Sequence, residues 1–442
     1  MRFPKREMRN RVIFPIMFLV CTGLVACDQQ EENKVATRLI ASKSVSEVAS
    51  EWAQWRGPNR DGRSIETGLV RSWPEDGPTI LWRKDIGAGF SAVSVKEGRA
   101  YVMSASAPDE YLYCLDVKTG DELWNARLNA YYRESNGDGP RSTPIIDSDV
   151  VYAMGSYGML YAFNAISGEE IWQVDIHGKS SEQPQNHDHD RGHSSSPLIE
   201  GDLLILSGGP QPNKTIIAYN KKTGEIVWTY GRDKGSYCSP EVWNIFGKRQ
   251  VVTGLSSGFA GLDSETGEEL WFYEWKTNYG LNIATPLFFS PNYVLISSGY
   301  GMGSVMLELV EEDEKWTAQR VWSNNRFENH FNSSVSQDGY IYGFDNTLLK
   351  CINARTGQEA WKTRGFGKGS LILADGMLIV LGEKGNVGLI EATQTAYTNL
   401  ANAQVLEGRC WTMPTLANGS LFLRNASQLF CLDLTGASEE TF

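Results

Sequence analysis

The chain has 442 residues, with 41 basic against 53 acidic side chains and a formal net charge of −12. That acidic balance argues against nucleic acid and anionic membrane surfaces as partners of the whole body. Length alone would suggest about three domains, yet 44 glycines and 11% aromatic residues suit many short strands and tight turns within one large all-β domain.

The first element is a targeting segment. Arg2, Lys5, Arg6, Arg9 and Arg11 precede an apolar run from Val12 to Ala26, which is short for a membrane span. The run ends Leu24-Val25-Ala26-Cys27, which resembles a bacterial lipobox. Cleavage before Cys27 would leave that thiol to carry lipid; the other reading is a plain secretory signal with an incidental Cys. Losing residues 1–26 leaves 36 basic and 52 acidic residues, a net −16. Residues 27–50 are polar and read as a tether, and residues 51–79 as an extension packed on the main domain. The expected location is the periplasmic side or outer surface of a bacterial envelope, lipid-anchored at Cys27, as a monomer.

A lone Trp-bearing strand follows at residues 80–86, around Trp82. Then the pattern [DN]-x-x-[ST]-G-x-x-x-W appears five times. It runs Asp116 to Trp124, Asn164 to Trp172, Asn220 to Trp228, Asp263 to Trp271 and Asn353 to Trp361. An Asx side chain can bond backbone two residues on, and Gly supplies positive φ, so each copy predicts a tight turn. The strand after each turn carries Trp at a fixed offset, placed to pack between neighbouring sheets. Upstream of the turns, Thr143-Pro144, Ser196-Pro197, Ser239-Pro240 and Thr285-Pro286 each open an apolar strand. Each unit therefore reads as four antiparallel strands.

Trp322 marks a degenerate unit between Trp271 and Trp361. Residues 369–406 form a unit without Trp, and residues 410–436 hold three strands and lack a fourth. The economical reading is an all-β, eight-bladed β-propeller over residues 80–436, with strand 80–86 completing the last blade. Miscounting one degenerate unit would give seven. Residues 437–442 are a tail. Cys114, Cys351 and Cys431 share one repeat position and read as small buried side chains, and Cys238 and Cys410 lie on distant blades, so no disulfide is expected.

Loops that enter the inner strands of a propeller converge at one mouth of the central channel, the default pocket. Those loops supply Tyr132, Arg133, Arg141, His193, Tyr237, Asn282, His330, Asn332, Lys368, Arg409 and Trp411. Basic and aromatic groups on an acidic protein suit a small anionic or planar ligand. His187, His189 and His193 have spacing that can ligate metal. The same loop carries Asp188, Asp190 and Arg191, which suit a solvated polar segment, and hydrogen-bonding roles for His193 and His330 are preferred. Gly254 to Gly258 matches G-x-S-x-G but falls in a hairpin, and Gly365 to Ser370 lacks the Lys-Ser/Thr and helix of a P-loop.

The Asx-x-x-Thr-Gly-x-x-x-Trp units resemble the repeats of pyrroloquinoline-quinone (PQQ) dehydrogenases and of BamB-type outer-membrane assembly lipoproteins, over about residues 52–436. Trp55-Arg56-Gly57-Pro58-Asn59-Arg60-Asp61-Gly62 resembles the opening of secreted bacterial PQQ-like propellers, and Asn278 to Pro286 and Arg364 to Ser370 support the same likeness. The dehydrogenase side of the resemblance implies PQQ with calcium and alcohol or sugar oxidation. The chain has no vicinal Cys pair, and the calcium-ligating Glu and Asn and the catalytic Asp of those enzymes are not assigned to positions in it. The BamB side implies a non-catalytic scaffold with an envelope protein partner. No catalytic residue is assigned.

Overall fold

The computed structural model describes residues 51–177, 191–210 and 212–436. The targeting run, Cys27, the tether, the C-terminal tail, His187 and His189 lie outside the described residues.

Eight four-stranded antiparallel sheets stand around a common axis. Seven are continuous in sequence, and we number them blades 1 to 7: residues 94–130, 145–175, 198–230, 241–274, 287–324, 335–363 and 370–404. Blade 8 takes three strands from residues 415–433 and its outer strand from Ile80–Asp85. Trp82 pairs with Cys431 and Asp85 with Gln428, so the expected closure by residues 80–86 is what forms. The ring therefore leaves no open seam between first and last blades.

The repeat motif builds the seams. Asp116 Oδ1 accepts the N–H groups of Lys118 and Thr119 at 2.8 and 3.0 Å. Asn164, Asn220, Asp263 and Asn353 repeat that pair of bonds. The turn ends in a glycine with φ between 70° and 74° in all five copies. That glycine lies under the Trp of the preceding blade. A Cβ on Gly120 would stand 2.7 Å from Trp82, on Gly168 2.7 Å from Trp124, and on Gly267 2.4 Å from Trp228. Each of these indoles also donates its N–H to a carbonyl of the same turn region: Trp82 to Val117, Trp124 to Ala165, Trp228 to Ser264.

Each outer strand bulges beside its Trp. The residue facing the indole is small in most blades: Cys114, Ala162, Ala218, Gly261, Cys351 and Cys431. Blade 7 inverts the sizes, with Leu389 facing Ala401 at the same register. Trp271 is the exception in partner. Blade 5 has ten-residue strands, Gly303–Glu312 and Lys315–Asn324, joined directly to each other, and Trp271 bonds Gln250 of its own blade at 2.8 Å. The five described cysteines are buried and unpaired.

A second seam runs along the inner strands, several only three residues long. Thr143 N–H donates to Ser196 Oγ at 3.0 Å, Ser196 N–H to Ser239 Oγ at 2.9 Å, and Thr285 N–H to Ser333 Oγ at 2.9 Å. The serine of two Ser-Pro phrases, and Ser333 of Ser333-Ser334 at the matching place, thus satisfies a backbone donor of the blade before it. At closure, the buried Arg424 guanidinium of blade 8 donates to Ser91 and Met103 carbonyls at 3.2 and 3.0 Å. Burial lowers its pKa to about 9.

Residues 52–66 cross the channel and touch every blade. Trp52 pairs with Val95, and Ala53 O accepts from Ile146 N–H. Arg60 donates to Pro197 O at 2.8 Å and faces Glu241 at 3.6 Å. Trp55 reaches Thr285, Arg56 bonds Ser334 O at 2.7 Å, Gly62 and Ser64 bond Leu373, and Glu66 accepts from Asn418 and Gly419. The extension is a plug inside the ring. Gly62 is required there, because a Cβ would stand 2.8 Å from Val335.

Gly267→Ala and Gly247→Ala separate the seam from simple backbone strain. Both glycines have positive φ, but no atom lies within 4 Å of a Cβ built at Gly247. Gly247→Ala is expected to cost about 1 kcal/mol and Gly267→Ala about 2–4 kcal/mol, from strain plus overpacking. Equal costs in denaturant titrations would contradict the role given to the indole contact.

Candidate functional site

The loops between blades form a cup of about 370 Å³. Its wall includes Phe90, Tyr237, Tyr300, Phe331 and Trp411, and the plug adds Trp55. The volume lies in the range of small-ligand sites. The central channel expected from the sequence is therefore a vessel, closed at one end by the N-terminal extension.

The aromatic wall is built from contacts between blades. Trp411 lies 5.9 Å from Phe90 with a 34° tilt and 5.2 Å from Phe331. His330 meets Tyr300 edge-on at 4.9 Å. Glu383 stands behind the wall: it accepts from the Trp411 indole at 3.1 Å and from the Lys368 backbone N–H at 3.2 Å. These bonds fix where Trp411 and Lys368 stand.

Charge in the cup is unbalanced. Among the described residues, three cations, Arg141, Arg191 and Lys368, line it with one carboxylate, Glu134. That carboxylate is already engaged, by Arg141 at 3.2 Å and Arg191 at 3.1 Å. Arg141 is further tied to the Gly139 and Gly137 carbonyls at 3.0 and 2.6 Å. Burial lowers the Arg141 pKa, with Glu134 opposing the shift. Lys368 Nζ faces the Nδ1 of His330 at 3.3 Å, with no carboxylate partner among the described residues. Burial first, and the Lys368 charge second, lower His330 to about 4. His330 is neutral at physiological pH, so it leaves the lysine charge uncompensated.

Of the residues expected at the mouth, Arg141, Tyr237, His330, Lys368 and Trp411 line the cup. The others stand elsewhere. Tyr132 is buried against Tyr157, with Arg141 5.6 Å above its ring. Arg133 is exposed over Tyr131. Asn282 donates to Leu255 and Trp275 carbonyls at 2.8 and 3.0 Å, and Asn332 donates to Gly369 O, so both hold loop backbone. Arg409 is exposed, packs on Trp411 at 4.3 Å and donates to Asn136 O. His193 is buried beside His177. Nothing in the sequence signalled Trp55, Phe90 and Tyr300 as wall residues; Phe331 and Glu134 lie in loops expected at the mouth, but the pairing of Glu134 with Arg141 and Arg191 was not foreseen. The Trp55 side chain meets a partner 230 positions away, which no local pattern signals.

The cup does not fit calcium-held PQQ. Calcium takes six to eight oxygen ligands, carboxylates prominent among them. Here the one lining carboxylate is held by two guanidiniums, and no group of three or more His, Cys, Asp or Glu side chains among the described residues could hold a metal.

Fold and repeats define the class: an eight-bladed propeller built from PQQ-type repeats. A family model described as outer membrane protein assembly factor BamB matches residues 64–186 and 108–363, and the chain belongs to that family. Among curated relatives, BamB of Burkholderia pseudomallei is 25% identical over 229 residues, 48% of this chain and 50% of that protein. Quinohemoprotein alcohol dehydrogenase ADH-IIG of Pseudomonas putida is 24% identical over 303 residues, 60% of this chain and 37% of that protein. The chain thus matches half or less of the length of these two relatives. Among solved structures, the quinohemoprotein alcohol dehydrogenase of Comamonas testosteroni aligns with a TM-score of 0.61 at 12% identity, over 92% of this chain and 83% of that one. BamB of Moraxella catarrhalis aligns at 0.58 and 14% identity, over 80% and 99%. These structural likenesses establish the fold.

His330 gives the site a pH signature. Its folded pKa of about 4 lies below its ordinary 6.5, so its contribution to stability is complete above pH 6.5 and is lost as pH falls toward 4. An NMR titration of His330 should give a midpoint near 4, and Lys368→Met should move it upward. A midpoint unchanged by that substitution would refute the Lys368–His330 coupling.

Proposed function

We propose that this chain is a non-catalytic binding propeller of the bacterial cell envelope, which holds a small planar anion in its cup and presents its loop face to an envelope protein partner. The observation that carries this reading is Lys368: an ammonium facing a neutral imidazole, inside aromatic walls, with the one lining carboxylate tied to two arginines. An anionic ring would meet Lys368 and Arg141 with charge-assisted bonds and the aromatic walls with stacking. Among the described residues the wall carries neither an uncommitted carboxylate to act as a base nor a calcium cage. Kinship with BamB proteins, named as outer membrane protein assembly factors, supports the partner half of the reading. The basic run and lipobox-like Leu24 to Cys27 support an envelope location with a lipid anchor at Cys27. The dehydrogenase relatives support the alternative, a PQQ-dependent alcohol or sugar oxidoreductase.

Tryptophan fluorescence titration of the purified chain with PQQ and with a simple aromatic dicarboxylate, each with and without calcium, tests the choice. Saturable, calcium-independent binding is expected, and Lys368→Met should weaken it by about 10- to 100-fold, the loss of one or more bonds to a charged group. Dye-linked alcohol or sugar oxidation with PQQ and calcium would overturn the non-catalytic reading. An envelope pull-down that recovers no defined protein would remove its partner half.

A further inference from the structure

The connection from blade 4 to blade 5 presents an aromatic side chain just outside the cup. Gly280 N–H donates to Thr277 O at 3.1 Å, and Leu281 N–H donates to Thr277 Oγ1 at 2.6 Å. These bonds close a tight turn with Tyr279 at its tip and Gly280 at φ of 65°. Thr277 is buried, and Leu281 lines the cup. Tyr279 is 71% exposed, the most exposed large apolar side chain among the described residues.

A single exposed ring would mean little by itself. This one continues the cup wall. Tyr279 lies 5.1 Å from Tyr300, with ring planes at 69°. Tyr300 meets His330 at 4.9 Å, His330 meets Phe331 at 5.4 Å, and Phe331 meets Trp411 at 5.2 Å. These four rings line the cup, so the aromatic wall runs over the lip and ends on Tyr279. Lys368 Nζ stands 3.3 Å from His330 Nδ1. The cation inside and the ring outside are therefore joined by two intervening rings, His330 and Tyr300. An edge-on contact covers at most one face of a ring, so Tyr279 keeps a face clear of Tyr300.

We infer that Tyr279 is an outer stacking subsite, and that the cup takes an elongated anion of two linked flat rings. The acid-bearing ring sits inside, with its carboxylate against Lys368. The second, apolar ring lies outside on Tyr279. This rests on the reading of the cup as an anion-binding vessel. Stacking there covers apolar surface that Tyr279 otherwise leaves in water. The two bonds to Thr277 fix the turn before binding, which reduces the ordering that binding must impose. A one-ring acid fills only the inner subsite and gains nothing from Tyr279.

The test is calorimetry on the full chain with benzoate and with benzoates that carry a second phenyl ring at the para position, joined directly or through one or two methylenes. At least one two-ring acid should bind about 3- to 10-fold tighter than benzoate. Tyr279→Ala should remove that gain and leave benzoate binding unchanged, and Tyr279→Phe should keep it. Lys368→Met should weaken both kinds of acid. The subsite is overturned, with the anion reading intact, if no second ring adds affinity or if the gain survives Tyr279→Ala. It is also overturned if Tyr279→Ala weakens benzoate equally, since the ring would then act by shaping the cup. If no acid of either kind binds, the anion reading falls together with the subsite.

Discussion

The contact on which the rest depends is an indole lying flat against a glycine of the next blade. A β-sheet four strands wide cannot bury both faces alone, so each blade needs its neighbour. The Asx turn fixes the glycine at positive φ, the missing Cβ admits the ring, and the indole N–H finds a carbonyl of the same turn. One motif thus supplies conformation, shape and hydrogen bonding together. Ahead of blade 5 the Trp271 N–H turns to Gln250 of its own blade, whereas blade 7, also without the glycine turn, still accepts the Trp361 N–H at Thr393 O. Blade 7 keeps the packing but moves the bulk to Leu389, across the pair from Ala401.

Ring closure uses different chemistry from the other seams. Blade 8 borrows its outer strand from Ile80–Asp85, and the fully buried Arg424 is satisfied by carbonyls of residues 91 and 103. The plug gives inner strands something to pair with. Trp52 extends the inner edge of blade 1 and Arg63 that of blade 7. Its own shape is irregular, with Arg56 and Arg60 at φ of 61° and 56°. Contacts with every blade hold it there. The cup floor and the ring's inner edges are consequently parts of one structure, since Trp55 belongs to the plug and to the ligand wall alike.

The ring was legible because its information is local and repeated. Trp at one offset, Gly at another, and Cys114, Cys351 and Cys431 in register each point to the same strand pairing. The serine of Ser-Pro was visible as punctuation, but its bond to the preceding blade was not. The cup was legible only in part. Loops that do not repeat carry no phase, so a polar residue at the mouth reads the same whether it faces ligand or backbone. Lys368 and Asn332 illustrate this. They sit on neighbouring loops, yet one side chain lines the cup and the other is spent on Gly369 O. Glu134 was visible in its loop, but its pairing with both Arg141 and Arg191 depends on two separate approaches in space.

The direction in which the chain enters the ring has a consequence for how the molecule is presented. Glu51 accepts a bond from Glu97 N–H, in the turn between the first two strands of blade 1. Those turns lie on the same face as the Asx turns, whereas the cup opens among the loops that join one blade to the next. The described chain therefore begins at the back of the disc, opposite the cup. The plug thus gives a nearly symmetric wheel a front and a rear.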